Sequence, residues 1–181
     1  MKKNIFLFIF LLIFCAITSC TRPVKHADNF YNVNDGLSLR RIPLVKPIEI
    51  ILLESQTDLT HSWDLELQPG IWVDYPNKQG LRYFYGHVHD LKKFATINGI
   101  IMAYSSFVDQ DAVAYIQDNF YHWFVLVPDL EIQKGFHSQD DFSEYIRTLG
   151  IENPDWQIPD EVFRRFKKTG CLEWIPDCEQ K

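Results

Sequence analysis

The sequence has no surplus of positive charge: 18 lysines and arginines stand against 24 acidic residues, a net charge of −6 over 181 residues. A body of that sign is repelled by phosphate, which excludes a nucleic-acid binder working through a basic surface. Glycine is sparse. The eight glycines are scattered singly, so no Gly-rich loop is present to cradle a nucleotide phosphate. There is no Gly-x-Ser-x-Gly elbow and no Ser-x-x-Lys to mark a serine nucleophile, and no Cys-x-x-Cys redox pair. No fixed-period repeat or low-complexity tract interrupts the chain. With 46% hydrophobic and 15% aromatic residues, the chain is not disordered, and its length suits one globular domain.

Long hydrophobic runs are missing as well. The most apolar stretch, Ile5 to Ile17, supplies about thirteen apolar-dominated residues where a membrane span needs roughly twenty. Lys2 and Lys3 precede it, and Ile17-Thr18-Ser19-Cys20 ends it. Positive charge, a short apolar core and small residues before a cysteine are the layout of a secretory signal. These residues resemble a bacterial lipoprotein precursor, whose lipobox places an aliphatic residue three before an invariant cysteine. The resemblance covers about a ninth of the chain. It implies that Cys20 becomes the mature N-terminus, carries a diacylglyceryl thioether and holds the protein to a lipid bilayer. Thr21 in place of an aspartate implies outer-membrane residence, and the lack of an acidic cluster after Cys20 favours the periplasmic face. The expected organisation is a signal peptide over 1–19, a lipidated N-terminus and tether over 20–45, and one domain over 46–181.

Without residues 1–19, which carry two lysines and no acid, 16 basic and 24 acidic residues remain. Attachment to a membrane then rests on acyl chains, each buried methylene contributing about 0.8 kcal/mol. With Cys15 removed and Cys20 acylated, Cys171 and Cys178 are the remaining thiols in an oxidising compartment. A disulfide between them is expected, closing a short loop.

From Ile48 onward the signals are those of strands. Ile48 to Leu53 is a β-branched run. Trp63, Leu65 and Leu67 alternate with Asp64 and Glu66, and Pro69-Gly70 leads into Ile71 to Tyr75. Asn98-Gly99 supplies the two positive φ values of a type I′ hairpin, which places Ile97 opposite Ile100, Ala95 opposite Met102 and Phe94 opposite Ala103. Apolar residues on both faces make that hairpin central in its sheet. Trp123 to Val127 returns through Pro128-Asp129 into a further strand. Two helices close the chain. Ser138 and Asp141 form a capping box before Phe142, Tyr145, Ile146 and Leu149, with Gly150 as the stop. Pro159, Asp160 and Glu161 open the second helix and Gly170 ends it. The expected fold class is α+β: an antiparallel β-meander sheet of about six to eight strands, then two C-terminal helices packed on one face.

His87-Val88-His89-Asp90 is the one grouping with the look of a metal or acid–base site. On a strand His87 and His89 share a face about 6.5 to 7 Å apart, within reach of one zinc ion, while Asp90 points away. His61, His122, Asp109 or Asp111 could supply a third ligand only through the fold. Paired acids at Asp109/Asp111, Asp140/Asp141 and Asp160/Glu161 show no glycosidase geometry in sequence, and the last two pairs suit helix N-termini. The aromatic load, with Trp63, Trp72, Trp123, Trp156 and Trp174 among tyrosines, is either core or an exposed platform for glycan or protein. The leading expectation is a non-enzymatic envelope lipoprotein of accessory or immunity type that binds a partner protein. The alternatives are a glycan-binding or glycan-processing lipoprotein and a metal-dependent hydrolase using His87 and His89.

Overall fold

Asn98 and Gly99 take positive φ, 50° and 79°, and close the hairpin in the register the sequence implies: Ile97 opposite Ile100, Ala95 opposite Met102, Phe94 opposite Ala103. Around it, the computed structural model describes residues 23–33, 40–54, 61–74, 80, 82–108 and 120–178. Cys20, the signal segment, and Asp109 and Asp111 lie outside these. Among the described residues no helix is long and apolar enough to cross a membrane.

Among the described residues eight strands and two α-helices follow in chain order: β1 (Arg41–Pro43), β2 (Glu49–Glu54), β3 (His61–Asp74), β4 (Arg82–Val88), β5 (Leu91–Ile97), β6 (Ile100–Ser105), β7 (Trp123–Val127), β8 (Ile132–Phe136), α1 (Gln139–Thr148) and α2 (Pro159–Thr169). All neighbouring strands pair antiparallel. The class is α+β, but the strands form two four-stranded sheets, β1-β2-β3-β4 and β5-β6-β7-β8, where a single meander was expected. The chain changes sheet at His89-Asp90, where Asp90 adopts φ 51°. The physical reason lies in β5 to β7. Their apolar residues alternate onto both faces, and every residue of β7 is buried, so this second sheet needs a cover on each side. Folding the first sheet over it supplies one of them.

The core between the sheets joins Ile42, Ile50, Leu52, Trp63, Leu65, Leu67 and Val88 to Phe94, Ile101, Ala103, Phe124 and Leu126. Val162 and Phe166 of α2 complete it. On the far side of the second sheet, Ala95, Met102, Trp123, Val125 and Val127 meet Phe142 and Ile146 of α1. The two helices therefore lie on opposite faces of the second sheet, not on one, because each fills a separate apolar surface. The hairpin's β6 is interior to its sheet, whereas β5 is an edge strand whose Phe94 pairs with Gln157.

Helix ends follow their residues. The Ser138 hydroxyl accepts the Asp141 N–H at 3.1 Å, and Pro159 and the left-handed Gly170 bound α2. Cys171 and Cys178 are joined as a disulfide with Cα atoms 5.5 Å apart. Within their loop Leu172 and Ile175 are buried, and Trp174 Nε1 donates to the Pro43 carbonyl at 2.9 Å.

Residues 23–33 fall in the stretch expected as a tether, and they lie against the domain. The Val24 N–H donates to the Thr169 carbonyl at 2.9 Å. His26 is buried, with Nε2 at 2.6 Å from the Gly170 carbonyl. Asn32 bonds the His26 backbone on both its N–H and its carbonyl, and Arg41 of β1 donates to the Phe30 carbonyl at 2.8 Å. The exposed Asp28–Lys46 ion pair, at 2.8 Å, holds the acid below and the amine above its ordinary pKa.

Candidate functional site

The outer face of the first sheet owes its composition to a bulge. Leu65 pairs with Val88 and Glu66 with His87, but the next pairs are Ile71 with Tyr85 and Trp72 with Phe84. Five steps along β3 match two along β4, and Pro69-Gly70 lies in the excess. Such an insertion changes which residues share a face. Leu65/Val88 and Ile71/Tyr85 point inward; Glu66/His87 and Trp72/Phe84 point outward. Strict alternation along β4 would have grouped His87 with Tyr83 and Tyr85. The bulge brings His87 to the side of Phe84, at the β4 edge where Tyr83 and Tyr85 also border it.

Phe84 lies against two glycines. A Cβ at Gly70 would stand 2.5 Å from the Phe84 ring, and one at Gly86 would stand 3.2 Å from it. Trp72 packs beside it, centroids 4.6 Å apart and planes tilted by 40°. Trp72 is 56% and Phe84 44% exposed, so both rings face solvent.

His87 and His89 follow on the same surface. Their rings stack at 5.7 Å with 29° between planes, and exposed Phe107 sits 5.1 Å beyond His89. His89 is oriented from below by a residue not singled out among the sequence candidates. The Leu65–Val88 pairing, carried one step further, sets Asp64 beside His89, and the His89 Nδ1–Asp64 Oδ2 distance is 2.5 Å. Asp64 is fully buried. Its Oδ1 accepts from the Ser62 hydroxyl at 3.0 Å and the Asp90 N–H at 3.2 Å. Burial pushes the Asp64 pKa up, but the His89 bond and charge, the Ser62 hydroxyl and the Asp90 N–H outweigh it and hold the carboxyl below its ordinary value. A carboxylate on Nδ1 fixes the tautomer and aim of the ring. The clue was the alternation Trp63-Asp64-Leu65, which marked Asp64 as an outward acid, but its partner depended on the register.

Ser105 is not placed as a nucleophile: its buried hydroxyl donates to the His89 carbonyl at 2.5 Å and accepts the Phe107 N–H at 2.9 Å. Between Tyr85, His87, His89, Ser105, Phe107 and Tyr121 lies a cavity of about 30 Å³, room for a water or two. Burial, with a smaller contribution from Asp74, raises the Tyr121 pKa.

His87 Nδ1 is buried without a hydrogen-bond partner among the described residues. A catalytic zinc takes three protein ligands, and no described residue joins His87 and His89 to make such a set. Asp64 is engaged by His89, and His122 Nδ1 lies 3.1 Å from the Ser105 carbonyl. The described group of three is elsewhere, His26 with Cys171 and Cys178, whose sulfurs bond each other. Of the five tryptophans, Trp63 and Trp123 are buried, Trp156 and Trp174 half-buried, and Trp72 exposed. Most of the aromatic load is core.

The fold and this surface define a two-sheet α+β domain with a strip of aromatic and imidazole rings on one open sheet face. Compared with the models of known families, with curated proteins and with solved structures, the chain finds no match.

Proposed function

We propose that this is a lipid-anchored envelope protein, acylated at Cys20 in the outer membrane, whose body binds a partner polypeptide through the open face of its first sheet. The observation that carries this reading is the Trp72–Phe84 pair, two solvent-facing rings in contact on a face that also presents His87, His89 and Phe107. Aromatic anchors with neighbouring imidazoles are the composition of a protein-binding hot spot, where a few rings carry most of the affinity. Two measurements test it. Palmitate incorporation should label the full chain and not Cys20→Ser; equal labelling would remove the anchor. A photo-crosslinking residue at Phe84 in living cells should give a discrete adduct that Trp72→Ala abolishes. The same probe at Glu152 should give none, and matching adducts at both positions would remove the binding surface.

Glycan binding is a second reading, favoured by the exposed Trp72 ring, since sugars stack on single indole faces. Saturable quenching of Trp72 fluorescence by envelope oligosaccharides would put it first.

A further inference from the structure

Because residues 23–33 are fastened to the end of α2, acylation of Cys20 would leave only Thr21 and Arg22 between the anchor and the folded body. Three residue steps reach at most about 10 Å, comparable with the range of charge interactions in physiological salt, about 8 Å. The fastening is close. Val24 bonds Thr169, His26 reaches Gly170, and a Cβ at Gly170 would stand 2.6 Å from the Val24 carbonyl oxygen. The pole so formed carries Lys25 together with Lys167 and Lys168 of the last α2 turn, all exposed and none in an ion pair among the described residues. The acids around it are mostly engaged. Glu173 pairs with Arg165 at 3.0 Å and Asp28 with Lys46, leaving Asp177 among the described residues. Exposed Val24 adds an apolar side chain at the same place.

We propose that this pole, built from Val24, Lys25, Lys167 and Lys168, rests on the bilayer and contacts anionic phospholipid headgroups, so that the domain is held in one orientation and not on a loose tether. The inference rests on the acylation of Cys20. Its occupant follows from chain length and charge: the protein as a whole is acidic, yet the region nearest the anchor is basic. A consequence is that the ring strip on β3 and β4 is turned from the membrane. Residues 23–33 dock at the β1 edge of the first sheet, and β4 is the opposite edge; Trp72 lies seven residues beyond Leu65, where β3 pairs with Ile50 of β2.

The test uses the full chain matured in a bacterial host and reconstituted into phosphatidylglycerol/phosphatidylethanolamine vesicles containing a nitroxide-headgroup lipid. A fluorophore is placed at Val24→Cys or, as the distant control, at Trp72→Cys. Intact mass is read first. A chain without lipid would overturn the anchor and this inference together. For the acylated chain, the Val24 probe should be strongly quenched and the Trp72 probe spared. Each basic residue near an anionic surface contributes about a fivefold factor, so Lys167→Gln/Lys168→Gln should lower the docked-to-undocked ratio by about 25-fold. Inserting about twelve Gly/Ser residues after Arg22 should weaken docking through the lower effective concentration of the pole at the surface. Equal quenching at the two probes in the acylated protein would overturn the docked orientation and leave the anchor standing. Undiminished Val24 quenching in neutral vesicles or in the double lysine variant would overturn the role of anionic lipid.

Discussion

The two sheets use similar numbers of apolar residues to opposite ends. In the second, β7 is buried on both faces, between the first sheet and α1. In the first, the inner residues of β3 and β4 are core while the outer ones, Trp72 and Phe84, meet solvent. A strand closed on both sides can contribute only to stability. One left open can carry binding, and its exposed rings need a reason outside the fold.

Truncation in the closed sheet should produce the largest effect. Phe124 is 1% exposed and packs on Tyr85 and Tyr121. Phe124→Ala should cost about 3 to 5 kcal/mol, read as a lower urea midpoint, and a cost below about 1 kcal/mol would show that the two-sided core is misjudged. Next is the buried acid beneath the open face. Asp64→Asn removes a carboxylate bonded by His89, Ser62 and Asp90, and should cost about 3 kcal/mol at neutral pH. The sign with pH follows from its depressed pKa. The contribution is fully present above the unfolded value of 3.8 and is lost as pH falls through the lower folded value. Wild-type stability should therefore decline on acidification below about pH 4 and that limb should flatten in Asp64→Asn; parallel curves would mean that Asp64 does not titrate with folding.

The disulfide should come third. Cys171→Ser/Cys178→Ser opens a loop whose ends are seven residues apart and should lower stability by about 2.5 kcal/mol on the loop-entropy account. The loss should appear equally on reduction of the wild type, checked by thermal unfolding with and without reductant.

Legibility in the sequence divided along the same line as the sheets. The 98–99 hairpin, the capped α1 and the disulfide were readable because each rests on neighbours within about ten residues. The separation into two sheets was not, since Val88 and Leu91 look like consecutive strand residues until the left-handed Asp90 turns the chain between layers. At the candidate site, the proximity of His87 and His89 was legible from their spacing. Asp64 as the support of His89 was not, because it is set by the β3–β4 register. Phe84 sharing their face was also hidden, because Gly86 and the three-residue excess in β3 break the alternation. Long-range register is the information that local periodicity lacks.

The smallest stability effect should sit at the most important binding position, and this contrast is the sharpest test of the open face. Trp72 is 56% exposed and its packing within the protein is chiefly on Phe84. Trp72→Ala forfeits one cross-strand pair, worth at most about 1 kcal/mol, so the urea midpoint should scarcely move. Affinity for the partner should fall by roughly 30-fold or more, the loss of one hot-spot residue. Gly86→Ala refines the point without deleting a ring. Its Cβ would press on the Phe84 ring from 3.2 Å, shifting the platform by a few tenths of an ångström, so binding should weaken while the strand stays intact. If Trp72→Ala instead unfolds the protein as readily as Phe124→Ala does, the outer rings are structural and the first sheet is closed in the same sense as the second.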